Sequence, residues 1–377
     1  MKIVYVANSF IPSRAANSVH VMKMCQALAQ LGHEVELVAR LPADAAAVEE
    51  DALWRQYGIQ TPFRLKRLPI PRQLPRVRYA VRAVTHAARV RADLVYTRNS
   101  MAAPLAAWRG LPTIYEPHGA RLTRESRVLF RLLCRSRNFR RLVMITTALK
   151  QDFLARFGDA LDPGRVLVLP DGVDLERFED LPDPAMARRQ LGWEPARFTA
   201  GYAGHLYAGR GIELILSLAE RLPQVRFLIA GGTEADIARY RAEAESRALD
   251  QVCFAGYVPN GELPRYLAAC EALLMPYQRK VTAAGVQDTA AWMSPMKMFE
   301  YMATGRLIVS SDLPVLREVL NEHNAALCPP EDIDRWQAAL ERAARDESWR
   351  RQLGAQALAD VRQYTWRRRA ERALTDL

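Results

Sequence analysis

Ile3-Val4-Tyr5-Val6, then Val21, Cys25, Leu28 and Leu31 at helical spacing, then Val35-Glu36-Leu37-Val38, set out a strand, a helix and a second strand within 38 residues. Gly32-His33 ends the helix between the two strands. The first strand is apolar without alternation, as a strand covered on both faces must be. The same alternation of strand and helix continues through Leu94-Val95-Tyr96, Thr113-Ile114-Tyr115, Leu142–Ile145 and Val166–Leu169. It restarts at Phe198–Tyr202, with a helical pattern over 211–221. Runs at Val225–Ala230, Val252–Phe254, Ala272–Met275 and Leu307–Ser310 follow. This predicts an α/β chain with two doubly wound parallel-sheet domains. The seam falls near Pro170–Pro184, where proline, aspartate and Gly172 cluster. In such sheets ligands bind at the carboxyl ends of the strands, and with two domains the ligand cleft is expected between them.

The bulk composition narrows the class. Half of the 377 residues are apolar and a quarter charged, ordinary for globular domains. The five cysteines are scattered and none forms C-x-x-C, so reduced thiols in a cytosolic protein are expected. No secretory leader and no membrane-spanning run is read. The formal net charge of +11 is unevenly placed: residues 1–170 carry +15 and the remainder −4. Ten basic residues and no acidic one lie between Asp51 and Asp93, and a second basic stretch runs from Arg121 to Arg141. Two readings stand. One is a face for anionic lipid or an anionic acceptor. The other is arginine-rich composition without a partner. No nucleic-acid motif accompanies the charge, so no nucleic-acid partner is expected.

Ser294-Pro295-Met296-Lys297-Met298-Phe299-Glu300-Tyr301-Met302-Ala303-Thr304-Gly305 carries the most chemistry. Ser294 suits an N-cap and Pro295 the first helical position. A helix starting there aims free N–H groups and a positive dipole end at an anion such as a diphosphate. Lys297 adds a cation in the first turn. Glu300, a turn further in, can accept from a ribose diol. The plain alternative is a well-capped amphipathic helix. A second stretch, Gly201-Tyr202-Ala203-Gly204-His205-Leu206-Tyr207-Ala208-Gly209-Arg210-Gly211, is a glycine-rich strand-to-helix turn with one arginine. Its glycines allow close backbone approach, and Arg210 offers a fork for phosphate oxygens.

Taken together, these stretches resemble retaining glycosyltransferase family 4 (glycosyl transferases group 1), of the GT-B fold. Ser294 to Gly305 is similar to the family's S-P-x-K-x-F-E-Y-M-A donor helix. Tyr202 to Gly211 resembles its Y-x-G-R-L-x-x-x-K-G loop. Pro170-Asp171-Gly172-Val173-Asp174 resembles P-N-G-V-D. Phe254-Ala255-Gly256-Tyr257-Val258, with Leu273-Leu274-Met275-Pro276, resembles the nucleotide-side loops. Gly32-His33-Glu34-Val35 matches G-H-x-V, and Tyr364-Thr365-Trp366 the point where the last helix crosses back. The resemblance implies two facing Rossmann-like domains, 1–170 on the acceptor side and 171–357 for the nucleotide sugar. Residues 358–377 would be a helix returning to the first domain.

It also implies roles. Arg210, Lys297 and His118 are the expected catalytic groups. Gly204, His205, Tyr257, Ser294, Met296 and Glu300 join Arg210 and Lys297 around the donor. Asn17, His118, Gln287, Asp288 and Trp292 fall on the sugar and acceptor side. The chain departs from the family where His205 replaces an arginine, Trp292 a glutamate, and Arg14-Ala15-Ala16-Asn17-Ser18 a Gly-Gly pair. The expected reaction is retaining transfer from a nucleotide-diphosphate sugar, a UDP-sugar ahead of GDP-mannose, onto a glycan or lipid-linked acceptor in cell-surface polysaccharide or glycolipid assembly. Attack comes from the leaving-group face, so no protein nucleophile is expected, and Arg210, Lys297 and the helix N–H groups stabilise the leaving diphosphate, so neither a cofactor nor a metal is expected. Asp332-Ile333-Asp334 is D-x-D in spelling but sits at a helix start. The alternatives are a non-catalytic sugar-nucleotide-binding subunit and a nucleotide-sugar 2-epimerase. The expected location is the cytoplasm, peripheral to the inner membrane face.

Overall fold

The computed structural model describes residues 1–41, 49–69, 76–120, 122–283 and 287–377, with the side chains of Arg76, Ala283 and Gln287 outside that set. The chain divides into two compact units. The first is Met1–Asp171 with Trp366–Leu377, and the second is Gly172–Thr365.

The first unit holds β1 (Lys2–Phe10), β2 (Glu34–Leu41), β3 (Arg64–Pro69), β4 (Leu94–Thr97), β5 (Thr113–Tyr115), β6 (Phe139–Met144) and β7 (Val166–Val168). They form one parallel sheet in the order β3-β2-β1-β4-β5-β6-β7. The helices of this unit up to Asp171 are α1 (Ala16–Gln30), α2 (Glu50–Tyr57), α3 (Arg76–Arg89), α4 (Ala102–Trp108), α5 (Arg124–Cys134) and α6 (Thr147–Phe157). The order reverses between β1 and β4, where Ile3 pairs with both Val35 of β2 and Leu94 of β4. Strand β3 is not expected from the sequence. Arg64-Leu65-Lys66-Arg67-Leu68-Pro69 is too polar to read as a strand, but it lies at the sheet edge, pairing among the described residues only with β2. Basic side chains on an edge strand discourage further strand addition, so part of the basic stretch serves the fold.

The second unit repeats the architecture. Helix α7 (Pro184–Gln190) leads into β8 (Thr199–Ala203), α8 (Ile212–Arg221), β9 (Arg226–Ala230), α9 (Glu234–Ser246), β10 (Val252–Gly256), α10 (Leu263–Ala268) and β11 (Ala272–Met275). A short hairpin, β12 (Thr282–Ala283) with β13 (Gln287–Asp288), precedes α11 (Met296–Ala303), β14 (Leu307–Ser311) and β15 (Ala326–Cys328). The parallel order is β10-β9-β8-β11-β14-β15. Side chains alternate between two covered faces. Phe227, Ile229, Leu274 and Val309 pack with Trp336 on one, and Leu228, Leu273, Met275 and Ile308 pack with Phe299 and Tyr301 on the other. Burial on both faces is why these strands read as continuous apolar runs.

Helices α12 (Ile333–Arg345) and α13 (Glu347–Val361) close this unit, and α14 (Trp366–Leu374) belongs to the first. The return thus begins at Trp366 and not at residue 358, because Ala357 and Val361 are still in the second unit's core. Val173 forms a parallel bridge with Thr365, and its N–H donates to the Tyr364 carbonyl at 3.0 Å. Within the first unit α14 packs on α1. Its Trp366 and Arg369 are buried.

Arg369 is the anchor of that packing. It donates to the carbonyls of Leu169 (3.2 Å) and Pro170 (2.9 Å) and to Glu116 Oε2 (3.1 Å), and its Nη2 lies 3.0 Å from Glu116 Oε1 as an ion pair. Glu116, just beyond β5, has no exposed surface. Burial would raise its pKa, but Arg369, His20 and the donated hydrogen bonds outweigh it and hold the carboxyl well below its ordinary range. Asp171 is likewise lowered, with His20 the main charge offsetting burial. A buried carboxylate stripped of its partner costs on the order of 3–5 kcal/mol. Arg369→Ala is therefore expected to destabilise the first unit by about that amount in denaturant titrations. In the unaltered protein the same groups stabilise fully above the unfolded carboxylate value of about 4. That contribution is lost as pH falls toward their depressed folded values. Stability unchanged by the substitution, or flat from pH 7 to pH 3, would contradict this account.

Candidate functional site

In the second unit, chemistry gathers where β8 ends and α11 begins. After β8 the chain turns through Gly204 to Gly211 before α8. Gly209 and Gly211 both have positive φ, 81° and 80°, and a Cβ on either would lie 1.9 Å from a backbone oxygen, Lys280 and Pro276 respectively. Only glycine fits such an approach. The turn is thereby pressed onto the segment following β11, and this delivers Arg210 to Tyr277. The guanidinium donates to the Tyr277 hydroxyl at 3.1 Å and lies 5.1 Å from the ring centroid.

Helix α11 comes to the same place. The Tyr301 hydroxyl accepts the Ala203 N–H at 2.7 Å and so ties the helix to β8. The helix starts one residue later than the sequence suggests. Pro295 has φ −78° and ψ 120° and occupies the N-cap position, while Ser294 precedes the cap and is buried. With Pro295 itself extended, the helical turn begins only at Met296. Met296 and Lys297 are then the first helical residues, whose N–H groups have no intrahelical acceptor.

The Lys297 side chain reaches back between two aromatic rings. Its Nζ lies 3.7 Å from the Tyr202 centroid and 5.5 Å from that of Tyr277. The Nζ and the Arg210 Nε are both buried without a hydrogen-bond partner. Gly204 makes room for it, since a Cβ there would sit 2.8 Å from Nζ. Burial, then Arg210, push the Lys297 pKa well down, with Glu300 opposing. Contact with ring faces is worth on the order of 0.5–2 kcal/mol and does not replace the lost hydration of an ammonium. The arrangement is two cationic groups in search of an anion. His205 stacks on Tyr207 at 4.8 Å. Burial, Arg210 and Lys297 lower its pKa, so the ring is neutral at pH 7. Glu300, a turn into α11, accepts from Asn260 Nδ2 at 3.0 Å. Tyr257 lies in the same loop after β10, half-buried.

Not every expected residue joins this group. Asp288 Oδ1 accepts the N–H of Val281 and of Ala290, both at 3.0 Å, and so staples the hairpin loop. Trp292 is half-buried, with its backbone N–H donated to the Thr289 carbonyl. The side chain of Gln287 lies outside the described residues. Asp332 caps α12 through Arg335 N, and Asp334 pairs with Arg221, so D-x-D is structural here. Tyr202, Tyr277 and Asn260 are not anticipated by the sequence. The tyrosines read as strand and loop apolar residues, and nothing in spacing says that they flank a lysine.

In the first unit, His118 follows β5 and Pro117. Its Nε2 is 2.5 Å from Glu116 Oε1, and its ring meets the His20 ring edge-on at 4.7 Å. His20 Nε2 lies 3.0 Å from Glu116 and 3.3 Å from Asp171. Asn17 is exposed in the first turn of α1, and its carbonyl accepts from Arg98 at 3.4 Å. Burial and Arg98 push the His118 pKa down to about 3. His20, Glu116 and His118 bring ligand-type atoms within 4.8 Å of one another. The guanidinium of Arg369 already lies on both Glu116 oxygens, so the trio is a neutralised hydrogen-bonded cluster and does not fit a metal.

Residues 18–177 match Glycosyltransferase Family 4, and residues 185–360 match Glycosyl transferases group 1. D-inositol 3-phosphate glycosyltransferase of Stackebrandtia nassauensis is 26% identical over 223 residues, 56% of this chain and 48% of that protein. The chain thus spans about half the length of that curated relative, and less of others. Among solved structures, sucrose-phosphate synthase from Thermosynechococcus elongatus superposes with TM-score 0.74 at 18% identity, over 99% of this chain and 97% of that one. Anabaena Alr3699/HepE in complex with UDP does so with TM-score 0.75 at 17% identity, over the whole of both chains. With two Rossmann-like parallel-sheet units and consecutive matches across most of its length, the chain belongs to the family 4, group 1 glycosyltransferases of the GT-B fold.

Proposed function

We propose that this chain transfers a glycosyl group from a nucleoside-diphosphate sugar, with retention of configuration and without a metal. One observation carries the reading: a buried, unpartnered Lys297 ammonium beside Arg210 at the head of α11. A diphosphate would receive both cations and the first N–H groups of the helix. Glu300, one turn in, would take the ribose hydroxyls. As the bond to the sugar breaks, charge grows on the leaving phosphate, and the same groups stabilise it. The departing oxygen takes the acceptor's proton. Uridine is the favoured base, a reading supported by the UDP bound in the Anabaena neighbour. His118 and Asn17 belong to the sugar and acceptor side in this scheme.

Two measurements test the donor site. Arg210→Ala and Glu300→Ala should each weaken nucleoside-diphosphate binding tenfold or more, read as a smaller thermal shift. Unchanged affinity in both, with the fold intact, would remove the site from this place. No shift with any nucleotide would favour a subunit that has lost donor binding with His205 and Trp292. The second is proton linkage. In the empty site burial and Arg210 lower the Lys297 pKa, and a diphosphate beside the ammonium would raise it again. Calorimetry in buffers of different ionisation heat should reveal proton uptake on binding, and its absence would argue that Lys297 does not meet the phosphates.

The acceptor is proposed to be lipid-linked, presented at a membrane surface. Among the described residues no helix is long and apolar enough to cross a membrane. A surface role is supported by α3, α4 and α5, with α4 packed beside both others. Val77 and Val81 on α3, Trp108 at the end of α4, and Val128 on α5 stand exposed, Val128 by 59% and Trp108 by 50%. Exposed arginines neighbour them in sequence, including Arg78, Arg82, Arg109, Arg124 and Arg127. Apolar side chains interleaved with guanidinium groups suit an anionic interface. Vesicles rich in phosphatidylglycerol should hold the protein at low salt and release it as salt rises. The double variant Trp108→Ala, Val128→Ser should weaken that binding severalfold. Retention by no vesicle would remove the membrane-side reading.

A further inference from the structure

The Glu116 cluster has a chemical direction that the transfer scheme does not use. A carboxylate flanked by a guanidinium is ionised, and an ionised carboxylate only accepts hydrogen bonds. Glu116 Oε1 faces Arg369 Nη2 at 3.0 Å, His20 Nε2 at 3.0 Å and His118 Nε2 at 2.5 Å. Its Oε2 faces Arg369 Nη1 at 3.1 Å and the hydroxyl of Tyr96. Arg369, Tyr96 and His118 must therefore each point a proton at Glu116. For His118 that places the proton on Nε2. The other charged groups facing the cluster are Arg98 and Asp171. Arg98 repels a second proton on His118, and Asp171 is engaged by His20. Among the described residues nothing bonds His118 Nδ1, while a fifth of the side chain is exposed.

We infer that His118 is held as a fixed hydrogen-bond acceptor, with a bare Nδ1, by a relay that starts in the last helix: Arg369 orients Glu116, and Glu116 takes the Nε2 proton. Arg369 and Glu116 are positioning residues. The T-shaped contact with His20 fixes the ring plane. A bare Nδ1 receives a hydroxyl or N–H hydrogen and is repelled by a phosphate oxygen. The group that His118 meets is thus a hydroxyl-bearing one, such as a sugar, and not the diphosphate. This consequence rests on the proposed reading that His118 borders the sugar and acceptor. The relay itself does not.

The test is nitrogen-15 NMR of the whole chain with labelled histidine, of which there are six. His118→Asn assigns the resonance. The expected result is one neutral ring with the proton on Nε2, slow to exchange, that stays neutral as pH is lowered from 8 to 5. A proton on Nδ1, or an imidazolium at pH 7, would overturn the relay. Glu116→Ala should let the Nε2 proton exchange freely and lower kcat about ten- to a hundredfold, with KM for the nucleotide sugar unchanged. The ring resonances of His20, His33 and His86, all in the first unit, report whether that unit stays folded in the variant. A protected Nε2–H that survives Glu116→Ala also overturns the relay. If the tautomer is as expected but His118→Ala leaves turnover unchanged, the relay stands and the reading of His118 as a sugar contact fails.

Discussion

A carboxylate shut off from water must be surrounded by donors, and Glu116 is. Arg369, His118, His20 and Tyr96 all converge on it, from α14, the loop after β5, α1 and β4. Much of the first unit's arrangement follows from satisfying that one group. It explains why the last helix returns to a unit that the chain left at Asp171. Helix α14 is short and largely basic, and an isolated helix of its length would be marginal in water. Its Trp366, Ala370 and Ala373 supply apolar burial, but the fork of Arg369 fixes its register. Arginine suits this place because its planar donors match a carboxylate at two points.

The second unit handles buried charge in the opposite way. Arg188 is matched by Glu271 and by carbonyls at Pro195 and Ala269, a closed structural pair. Lys297 and Arg210 receive aromatic faces and a phenol, and no carboxylate neutralises them among the described residues. Stability alone would favour a paired or apolar substitute at such a position. The unit keeps the unmet charge where β8 and α11 point their ends together, which is where a doubly wound sheet offers a ligand its place. The glycines of the loop serve this arrangement by closeness: Gly204, Gly209 and Gly211 leave no room for a side chain that would fill or displace it.

Strands buried on both faces were legible, because a short, continuous apolar run bounded by glycine suits few structures besides a strand covered on both sides. Strand β3 was not, since an edge strand answers to water on one side and needs no apolar run. The start of α11 was misplaced by one residue because a proline serves equally well as cap or first helical position, and only ψ separates the two. Arg210, Lys297 and Glu300 are singled out by motif and helical spacing, and the structure brings Arg210 and Lys297 together. Tyr202 and Tyr277 were not, as aromatic residues in and after strands are ordinarily core. The Glu116 cluster escaped for a stronger reason. Its members run from His20 to Arg369, and periodicity carries no information over that range. Neither residue type nor neighbours pointed to Arg369.

The double crossing of the chain bears on its synthesis. Domains generally fold as they emerge, N-terminal first, at roughly 5–20 residues per second. Here the first unit cannot be finished in that order, because residues 366–377 belong to it. Once residue 171 has been made, the ribosome must add about two hundred more residues before Arg369 arrives, roughly ten to forty seconds. Throughout that interval Glu116 has no guanidinium, and the α1 surface that α14 will cover faces solvent. The nascent first unit lacks its last helix over that interval, while the second, contiguous in sequence, is made whole before it. The unit begun first is completed last.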